Sequence, residues 1–142
     1  MTAKAFRVSE AAALLGVSDD TIRRWVVAGR LTLSTGASGG AGKSGPLSVD
    51  AAQLAAVAQE LAAESALAAA FPTTKASARN RLTGIVTTVT KDGVMAQVEM
   101  QAGPFRIVSL MSREAADELH LEPGSVAVAS VKATTVVIEV PE

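Results

Sequence analysis

The fold is decided by Ser77-Ala78-Arg79-Asn80, because an alternation of apolar and polar residues typical of β-strands begins directly after it. A second stretch, Val131-Lys132-Ala133-Thr134, lies near the C-terminus, and both stretches are predicted to lie at strand edges. Together they offer hydroxyls, an amide, two cations and a run of backbone N–H groups. Such donors suit a tetrahedral oxyanion, because they can point at its oxygens from several directions. Neither stretch contains a carboxylate pair, a cysteine or a histidine, so we do not expect an enzyme.

The segment after Asn80 is predicted to form a small, mostly β domain. Lys91-Asp92-Gly93 is a hairpin signal with Asp-Gly at its centre. Five strands with one short helix between the third and the fourth are expected, and this arrangement fits an OB-like β-barrel. The strands are predicted from Arg81 onward, at Met95 to Ala102, Phe105 to Met111, Ser125 to Val131 and Thr134 to Val140, and the helix at Arg113 to Leu119.

Three stretches of this segment carry a resemblance to a known family. SARN is followed by Arg81-Leu82-Thr83-Gly84-Ile85-Val86, and Val131-Lys132-Ala133-Thr134 is followed by Thr135-Val136. Between them, Leu121-Glu122-Pro123-Gly124-Ser125-Val126 leads into the fourth predicted strand. On these residues, the segment from Ser77 to Val140 resembles a Mop domain, the small molybdate-binding module of the TOBE group.

The resemblance implies that the ligand is an intact oxyanion, molybdate or tungstate, and that no protein atom coordinates a metal. In Mop-type proteins the small barrels associate and the oxyanion sites lie between subunits. One repeat per chain therefore implies a homo-oligomer, either a dimer or a hexamer. Ala133 would act through its backbone N–H alone. The implied oxyanion-binding residues are Ser77, Arg79, Asn80, Lys132, Ala133 and Thr134.

The beginning of the chain is predicted to form two short helices joined by a turn. Ser9 and Ser18 are good N-cap residues, and Gly16 and Gly29 are placed to end the two helices. The order helix, short turn, helix is typical of a helix-turn-helix. The first helix is predicted at Glu10 to Leu15 with Ala11, Leu14 and Leu15 inward, and the second at Thr21 to Ala28.

The stretch from Val8 through Trp25, followed by Ala28-Gly29-Arg30-Leu31, resembles the MerR/excisionase-type helix-turn-helix. In that family the second helix enters the major groove of double-stranded DNA, and arginine there can contact guanine or hold phosphate. The resemblance also implies a β-wing within Thr32 to Ser48, with strands at Leu33 and Leu47-Ser48-Val49. Ile22, Val26 and Leu31 would form the core, and Trp25 would both pack on it and touch phosphate. The implied DNA-binding residues are Ser18, Thr21, Arg23, Arg24, Trp25 and, from the tip of the wing, Lys43.

Composition and charge agree with a two-domain α+β protein. The 142 residues are 49% hydrophobic but only 3% aromatic, so an aliphatic core is expected. Residues 1–49 carry six basic and three acidic side chains, a weak sign of a nucleic-acid module. Asp50 to about Ala70 is predicted as one long alanine-rich helix with an inward stripe at Leu54, Val57 and Leu61. The predicted domains are residues 1–70, helix-turn-helix with wing and third helix, and residues 77–142, oxyanion-binding, joined by a linker at 71–76.

The sequence contains no signal-peptide pattern and no apolar run long enough to cross a membrane. The absence of cysteine is compatible with a reducing compartment, and we expect a cytoplasmic protein without a membrane partner. The interpretation is a DNA-binding transcriptional regulator that senses molybdate. The alternative is a molybdate or tungstate storage or homeostasis protein of molbindin type, whose helix-turn-helix only docks another protein.

Overall fold

A computed structural model of the chain describes residues 4–35, 46–72 and 75–142. The chain divides into two compact units, Met1–Ala68 and Ala69–Glu142. We call them the head unit and the tail unit. In the described part of the chain, no helix combines the length and the apolar character that crossing a membrane requires.

The head unit is a small sheet with helices packed on it. Its three strands are antiparallel in the order β1-β3-β2, and Val49 of the central strand lies opposite both Phe6 and Leu33. The wing strands predicted around Leu33 and Val49 are therefore present. The elements are β1 (Ala5–Arg7), α1 (Val8–Leu15), α2 (Asp19–Val27), β2 (Leu33–Thr35), β3 (Leu47–Asp50), α3 (Ala51–Ala63) and α4 (Ala66–Ala70), the last of which reaches the boundary between the units.

The two helices of the turn begin differently from each other. The predicted Ser18 cap is confirmed, because its hydroxyl accepts a hydrogen bond from the Thr21 backbone N–H at 3.2 Å. The predicted Ser9 cap is wrong, since α1 begins at Val8, so that Ser9 lies inside the helix and Arg7 is its N-cap residue. The Arg7 backbone N–H donates to the Glu10 carboxylate at 2.9 Å, so the acidic side chain of the first turn supplies the start signal instead.

The head unit has an aliphatic core, as its composition predicts. Trp25, Val26, Leu15 and Leu61 are half-buried against it. Leu14, predicted to face inward, is 61% exposed, because Leu14 falls on the outer side of α1 when Ala11, Ala12 and Leu15 pack inward. The fully buried side chains are Val8, Ala11, Ala12, Ile22, Leu31, Val49, Leu54 and Val57.

The single long helix predicted from Asp50 to Ala70 is wrong. Asp50 does cap α3, accepting from the Gln53 backbone N–H at 2.9 Å, but α3 ends at Ala63 and a short helix follows. Leu54 and Val57 are buried and Leu61 is half-buried, whereas no residue of α4 is buried. Most helix stability in proteins comes from packing one face, so alanine propensity alone does not carry α3 past Ala63.

The tail unit is a four-stranded antiparallel sheet with one helix. Its order is β6-β5-β4-β7, and one face of the sheet curls around Val86, Val98 and Met100. The register between β4 and β5 shifts between Val86 and Thr88, a bulge that sharpens the local bend. The elements are β4 (Asn80–Lys91), β5 (Met95–Ala102), β6 (Phe105–Ser112), α5 (Arg113–Glu118) and β7 (Val126–Val131).

Three local features of the tail unit follow from its sequence. Asp92 shapes the β4–β5 hairpin, since its carboxylate accepts from the backbone N–H groups of Val94 at 2.8 Å and Met95 at 2.7 Å. Gly84 lies where β4 passes close to β5, and a Cβ atom there would collide with the Gln101 carbonyl oxygen. Ser112 caps α5, and its hydroxyl accepts from the Ala115 N–H at 3.1 Å.

The closing strand predicted from Thr134 to Val140 is wrong. Ala133–Thr135 form a short 3-10 helix, and residues 136–142 belong to no strand. The sheet is consequently a curled half-barrel of four strands and not a closed barrel of five. Alternation in the sequence marks Val136–Val140 as strand-like but does not establish that a neighbouring strand is available to pair with it.

Candidate functional site

The two donor stretches meet at one end of the β4–β7 pair. These strands are antiparallel, so the first residue of β4 lies beside the last residue of β7, with Asn80 opposite Val131. The Asn80 side-chain amide donates to the Val131 carbonyl at 3.1 Å and ties the two stretches together. An amide nitrogen carries two hydrogens, so the second can serve a ligand. The two donor stretches thus meet within one chain at Asn80 and Val131.

The remaining members of this cluster surround that contact. Ser77 and Arg79 lie just before β4 and are exposed, and Lys132 follows β7 and is exposed. In the described part of the chain, neither cation forms an ion pair. Two positive side chains and two hydroxyls of these stretches are therefore exposed, whereas Asn80 is half-buried. The cluster consists of Ser77, Arg79, Asn80, Lys132, Ala133 and Thr134.

Backbone geometry at Lys132 adds further donors. The Lys132 carbonyl accepts from the Thr135 N–H at 3.0 Å and from the Thr135 hydroxyl at 2.9 Å, which fixes the turn. The N–H groups of Ala133 and Thr134 head this short helix, so they have no partner inside it. This is the role that the sequence assigned to Ala133, whose side chain offers no polar atom.

Arg81 is a residue of this region that the sequence analysis missed. It lies opposite Ser130 on the strand pair, is half-buried, and its Nε is buried with no hydrogen-bond partner in the described residues. A buried donor without a partner is costly unless an acceptor from outside the chain reaches it. The signal that identifies Arg81 is the register of β4, which places it on the opposite face of the sheet from Asn80. That register cannot be known before the strands are paired.

The N-terminal half of α2 presents a chain of hydrogen bonds along its surface. The hydroxyls of Ser18 and Thr21 are 3.0 Å apart, and the Arg24 guanidinium donates to the Thr21 hydroxyl at 3.0 Å. Arg23 is exposed and forms no ion pair among the described residues. The side chains of α2 therefore include one tethered arginine and one free arginine. They share an open depression with Asp20 and Val27.

Trp25 lies on the side of α2 that packs against the head core. It packs partly against the head core, and the Arg30 guanidinium carbon lies 5.7 Å from its ring centroid. Arg30 also donates to the Glu60 carboxylate at 2.7 Å, which links the end of α2 to α3. Stacking on Trp25 and the ion pair with Glu60 hold the Arg30 side chain in place. Trp25 therefore packs on the head core and supports Arg30. Lys43 lies outside the residues that the structure describes.

The shifted carboxyl groups of the tail unit lie at the other end of β4. Lys91 donates to Asp117 and holds the pKa of that carboxyl below its ordinary value. The backbone N–H groups of Met95 and Val94 likewise lower the pKa of Asp92. These groups stabilise the hairpin and α5 and are distant along β4 from Asn80. Among the described residues, no group of three His, Cys, Asp or Glu side chains could hold a metal ion.

Comparison with known proteins identifies the tail unit. The profile of the TOBE domain family matches residues 76–138. A molybdate-binding protein from Sporomusa ovata is 32% identical, with 98% of that chain and 46% of this one covered and a TM-score of 0.45. MopII from Clostridium pasteurianum, in an apo form, is 37% identical, with 100% of that chain and 46% of this one covered and a TM-score of 0.44.

A third relative is longer. The cytoplasmic molybdate-binding protein ModG, in a form with molybdate bound, is 40% identical over 48% of this chain and 49% of its own, with a TM-score of 0.46. A search of curated proteins gives no match. Because the identity extends over essentially the whole of the first two relatives, the chain belongs to the TOBE domain family through residues 76–138. The resemblance predicted for this segment is confirmed, and the family match leaves residues 1–75 unassigned.

Proposed function

We propose that the chain is a molybdate-binding, DNA-binding transcriptional regulator that acts as a homo-oligomer in the cytoplasm. The pairing of Asn80 with Val131 carries the first part, because it gathers the two donor stretches at one strand end. All three solved relatives are described as molybdate-binding proteins or bear the Mop name, and ModG is described as cytoplasmic. The second part rests on the surface of α2.

In the proposed oxyanion site, each residue contributes the donor that its position allows. Lys132 and Arg79 supply charge-assisted hydrogen bonds, which are stronger than neutral ones. Ser77 and Thr134 supply hydroxyls, and Ala133 supplies its backbone N–H. Asn80 holds the two stretches together through Val131 and offers its remaining amide hydrogen. Every group is a donor, so the site binds an intact dianion and does no chemistry on it.

Calorimetry with molybdate and sulfate tests the oxyanion site. Both are tetrahedral dianions, but molybdate has longer metal–oxygen bonds, so fixed donors cannot fit both. Lys132→Ala removes a charged donor and should weaken molybdate binding by about 10- to 100-fold, the equivalent of roughly 1.5–3 kcal/mol. Lys4→Ala removes the same charge from an exposed residue of the head unit and serves as the control. Unchanged affinity in the Lys132 variant would exclude this site.

In the proposed DNA complex, α2 enters the major groove. Thr21 tethers Arg24 at 3.0 Å, which pre-orients its guanidinium to contact a guanine edge, whereas the free Arg23 can follow a phosphate. Ser18 lies at the N-terminus of α2, where backbone N–H groups also favour phosphate. Trp25 holds the helix in place by packing against the head core. The partner is double-stranded DNA.

Titration of DNA against salt separates the two arginines. Each phosphate contact contributes about −0.9 to the slope of log K against log salt. Arg23→Ala should make that slope shallower by about one contact and weaken all sequences alike. Arg24→Ala should cost about 1–3 kcal/mol on the preferred sequence and little elsewhere. If both variants bind a selected duplex like wild type, the head unit does not read DNA, and oxyanion storage with a docking head becomes the better account.

A further inference from the structure

The exposed face of α2 contains one apolar side chain among polar ones. Val27, the last residue of the helix, is 90% exposed, the largest exposed fraction of any large apolar residue in the described part of the chain. It is not among the residues that pack on the head core. Valine also has only modest helix propensity, because its branched side chain loses rotamer freedom in a helix. Neither packing nor propensity therefore favours valine at this position, and its side chain is free to contact a partner.

Val27 lies in the middle of the surface that carries the two arginines. Seven residues make almost two turns at 3.6 residues per turn, so Val27 and Asp20 are in line to within about 20° around the helix. Arg23 and Arg24 lie on either side of that line, about 40–60° from it. All four residues line the same open depression. The apolar side chain is thus flanked by cations on the surface proposed to contact DNA.

The charges of this surface decide which partner fits it. A second copy of the chain would bring the same two arginines against each other, and like charges oppose such a contact. A polyanion is attracted by them. Asp20 forms no ion pair among the described residues, and its carboxylate would repel a phosphate group. The line from Asp20 to Val27 therefore suits the bases of DNA and not the backbone.

The chemistry of the groove narrows the partner of Val27 to one group. The base edges in the major groove present hydrogen-bond donors and acceptors, and the apolar exception is the C5-methyl group of thymine. The valine side chain can neither donate nor accept, so a polar base edge against it would lose its hydrogen bonds to water. A methyl group against it removes apolar surface from water on both sides. In unmodified DNA only thymine offers this group.

We propose that Val27 is a specificity-determining residue of the DNA surface and reads a thymine through contact with its C5-methyl group. This role rests on the DNA binding proposed above and deepens it, because it names a base that α2 selects. The helix rises about 1.5 Å per residue, so Val27 lies about 4.5 Å along the axis from Arg24. Successive bases are about 3.4 Å apart. The thymine should therefore lie one or two base pairs from the guanine that Arg24 contacts.

The shape of valine suits this contact. One χ1 rotamer dominates for valine in a helix, so the side chain loses little conformational entropy when a base packs against it. The arginines on either side are longer and can reach past it to a base edge and to phosphate. Val27 thus discriminates by shape and burial, whereas the arginines discriminate by hydrogen bonds and charge.

Replacement of thymine by deoxyuridine tests the contact directly. Uracil pairs like thymine but lacks the C5-methyl group, so the exchange removes that group alone. A duplex selected by the full chain from an unmodified random pool is prepared with each thymine replaced in turn, and binding is measured by fluorescence anisotropy. At one thymine of each half-site, the replacement should weaken wild-type binding about four-fold, the loss expected for one methyl group returned to water. For Val27→Ala the same replacement should change binding by less than about two-fold, since the two changes remove the same contact.

Leu14→Ala is the matched control, because Leu14 is also an exposed apolar residue of the head unit, at 61%, but lies on α1. It should keep the wild-type sensitivity to uracil. A wild type indifferent to uracil at every position, or a Val27→Ala variant as sensitive as the wild type, would overturn the thymine contact and leave DNA binding by the arginines intact. A selected half-site with no thymine within two base pairs of the position that Arg24→Ala relaxes would overturn it as well. If the full chain enriches no duplex, DNA binding itself fails, and the thymine contact fails with it.

Discussion

The head unit and the tail unit differ in what they leave exposed. In the head unit, two helices and a wing close over a buried aliphatic core, and the surface of α2 is mainly polar. In the tail unit, apolar side chains remain exposed along three strands and in residues 136–140, and the barrel is open. The exposed apolar residues of the tail include Ile85, Phe105, Leu110, Val126, Val137, Ile138 and Val140.

This difference indicates two kinds of domain in one chain. A core that is buried within a single copy allows the head unit to fold and to present α2 without help. An open sheet with apolar surface fits the homo-oligomer proposed above. The tail unit would then set how many heads are held together, and the heads would supply the contact with DNA. The predictions that follow test this contrast from the largest effect to the smallest.

The largest effect is expected at the centre of the head core. Ile22 is 0% exposed, and Ile22→Ala should lower the free energy of unfolding of the head unit by about 3 kcal/mol through a cavity. Trp25 is the only tryptophan, so its fluorescence reports unfolding of the head alone. Val27→Ala is the control on the same helix, because Val27 is 90% exposed and the change should stay within about 0.5 kcal/mol. A similar loss in both variants would show that the head core is not closed.

The next largest effect is expected on the stability of the tail unit, at the close approach of β4 to β5. Gly84→Ala places a Cβ against the Gln101 carbonyl oxygen and should destabilise the tail unit by about 2–3 kcal/mol. Gly93→Ala is the matched control, since nothing lies within 4 Å of a Cβ at that position. Circular dichroism should show a lower melting transition for the first variant, with the Trp25 signal unchanged. Loss of the Trp25 transition as well would show that the units do not unfold separately.

A smaller effect is expected on DNA recognition. Thr21→Val removes the hydroxyl that accepts from Arg24, and preference for a selected duplex over random DNA should fall by about 1 kcal/mol. Thr21→Ser keeps the hydroxyl and should restore the preference. Competition binding by fluorescence anisotropy measures both. If valine and serine behave alike, Thr21 does not position Arg24.

The smallest effect is expected on the stability of the tail unit at low pH. The pKa values of Asp92 and Asp117 are lowered in the folded tail unit by their hydrogen bonds to N–H groups and to Lys91. The stability they contribute is fully present above the unfolded pKa of about 4 and is lost as pH falls through the lower folded values. Asp92→Asn should flatten the acid dependence of the tail transition in thermal melts. An unchanged acid dependence would mean that the hairpin contacts of Asp92 are not kept in solution.

The sequence predicts local structure well where one chain decides it. The Ser18 and Ser112 caps, the Asp92 turn and the strand Met95–Ala102 depend on near neighbours, and the structure contains them. The predictions fail where packing decides. The helix after Ala63 has no buried face, and residues 136–140 belong to no strand. Helix propensity and hydrophobic alternation are local signals, so they do not show whether a packing partner is missing.

The candidate oxyanion site shows the same division. SARN and VKAT identify donors by residue type, and their adjacency follows once β4 pairs with β7. Which residues of β4 and β7 lie opposite each other is set by the strand register, and that register cannot be read from the sequence alone. Arg81 was missed for this reason, because its buried Nε has meaning only after the register is known. The role of Asn80 as the contact to Val131 was likewise invisible in the motif.

The most direct test of the central claim is DNA binding by the full chain with and without molybdate. A duplex selected from a random pool by the full chain is titrated in gel shifts, with sulfate as the control anion. If molybdate bound in the tail unit changes the assembly of linked heads, it should change the affinity for a duplex with two half-sites, and sulfate should not. Lys132→Ala should keep basal binding and lose the response. Wild-type affinity that is the same with molybdate as with sulfate would contradict the account and leave oxyanion storage as the function.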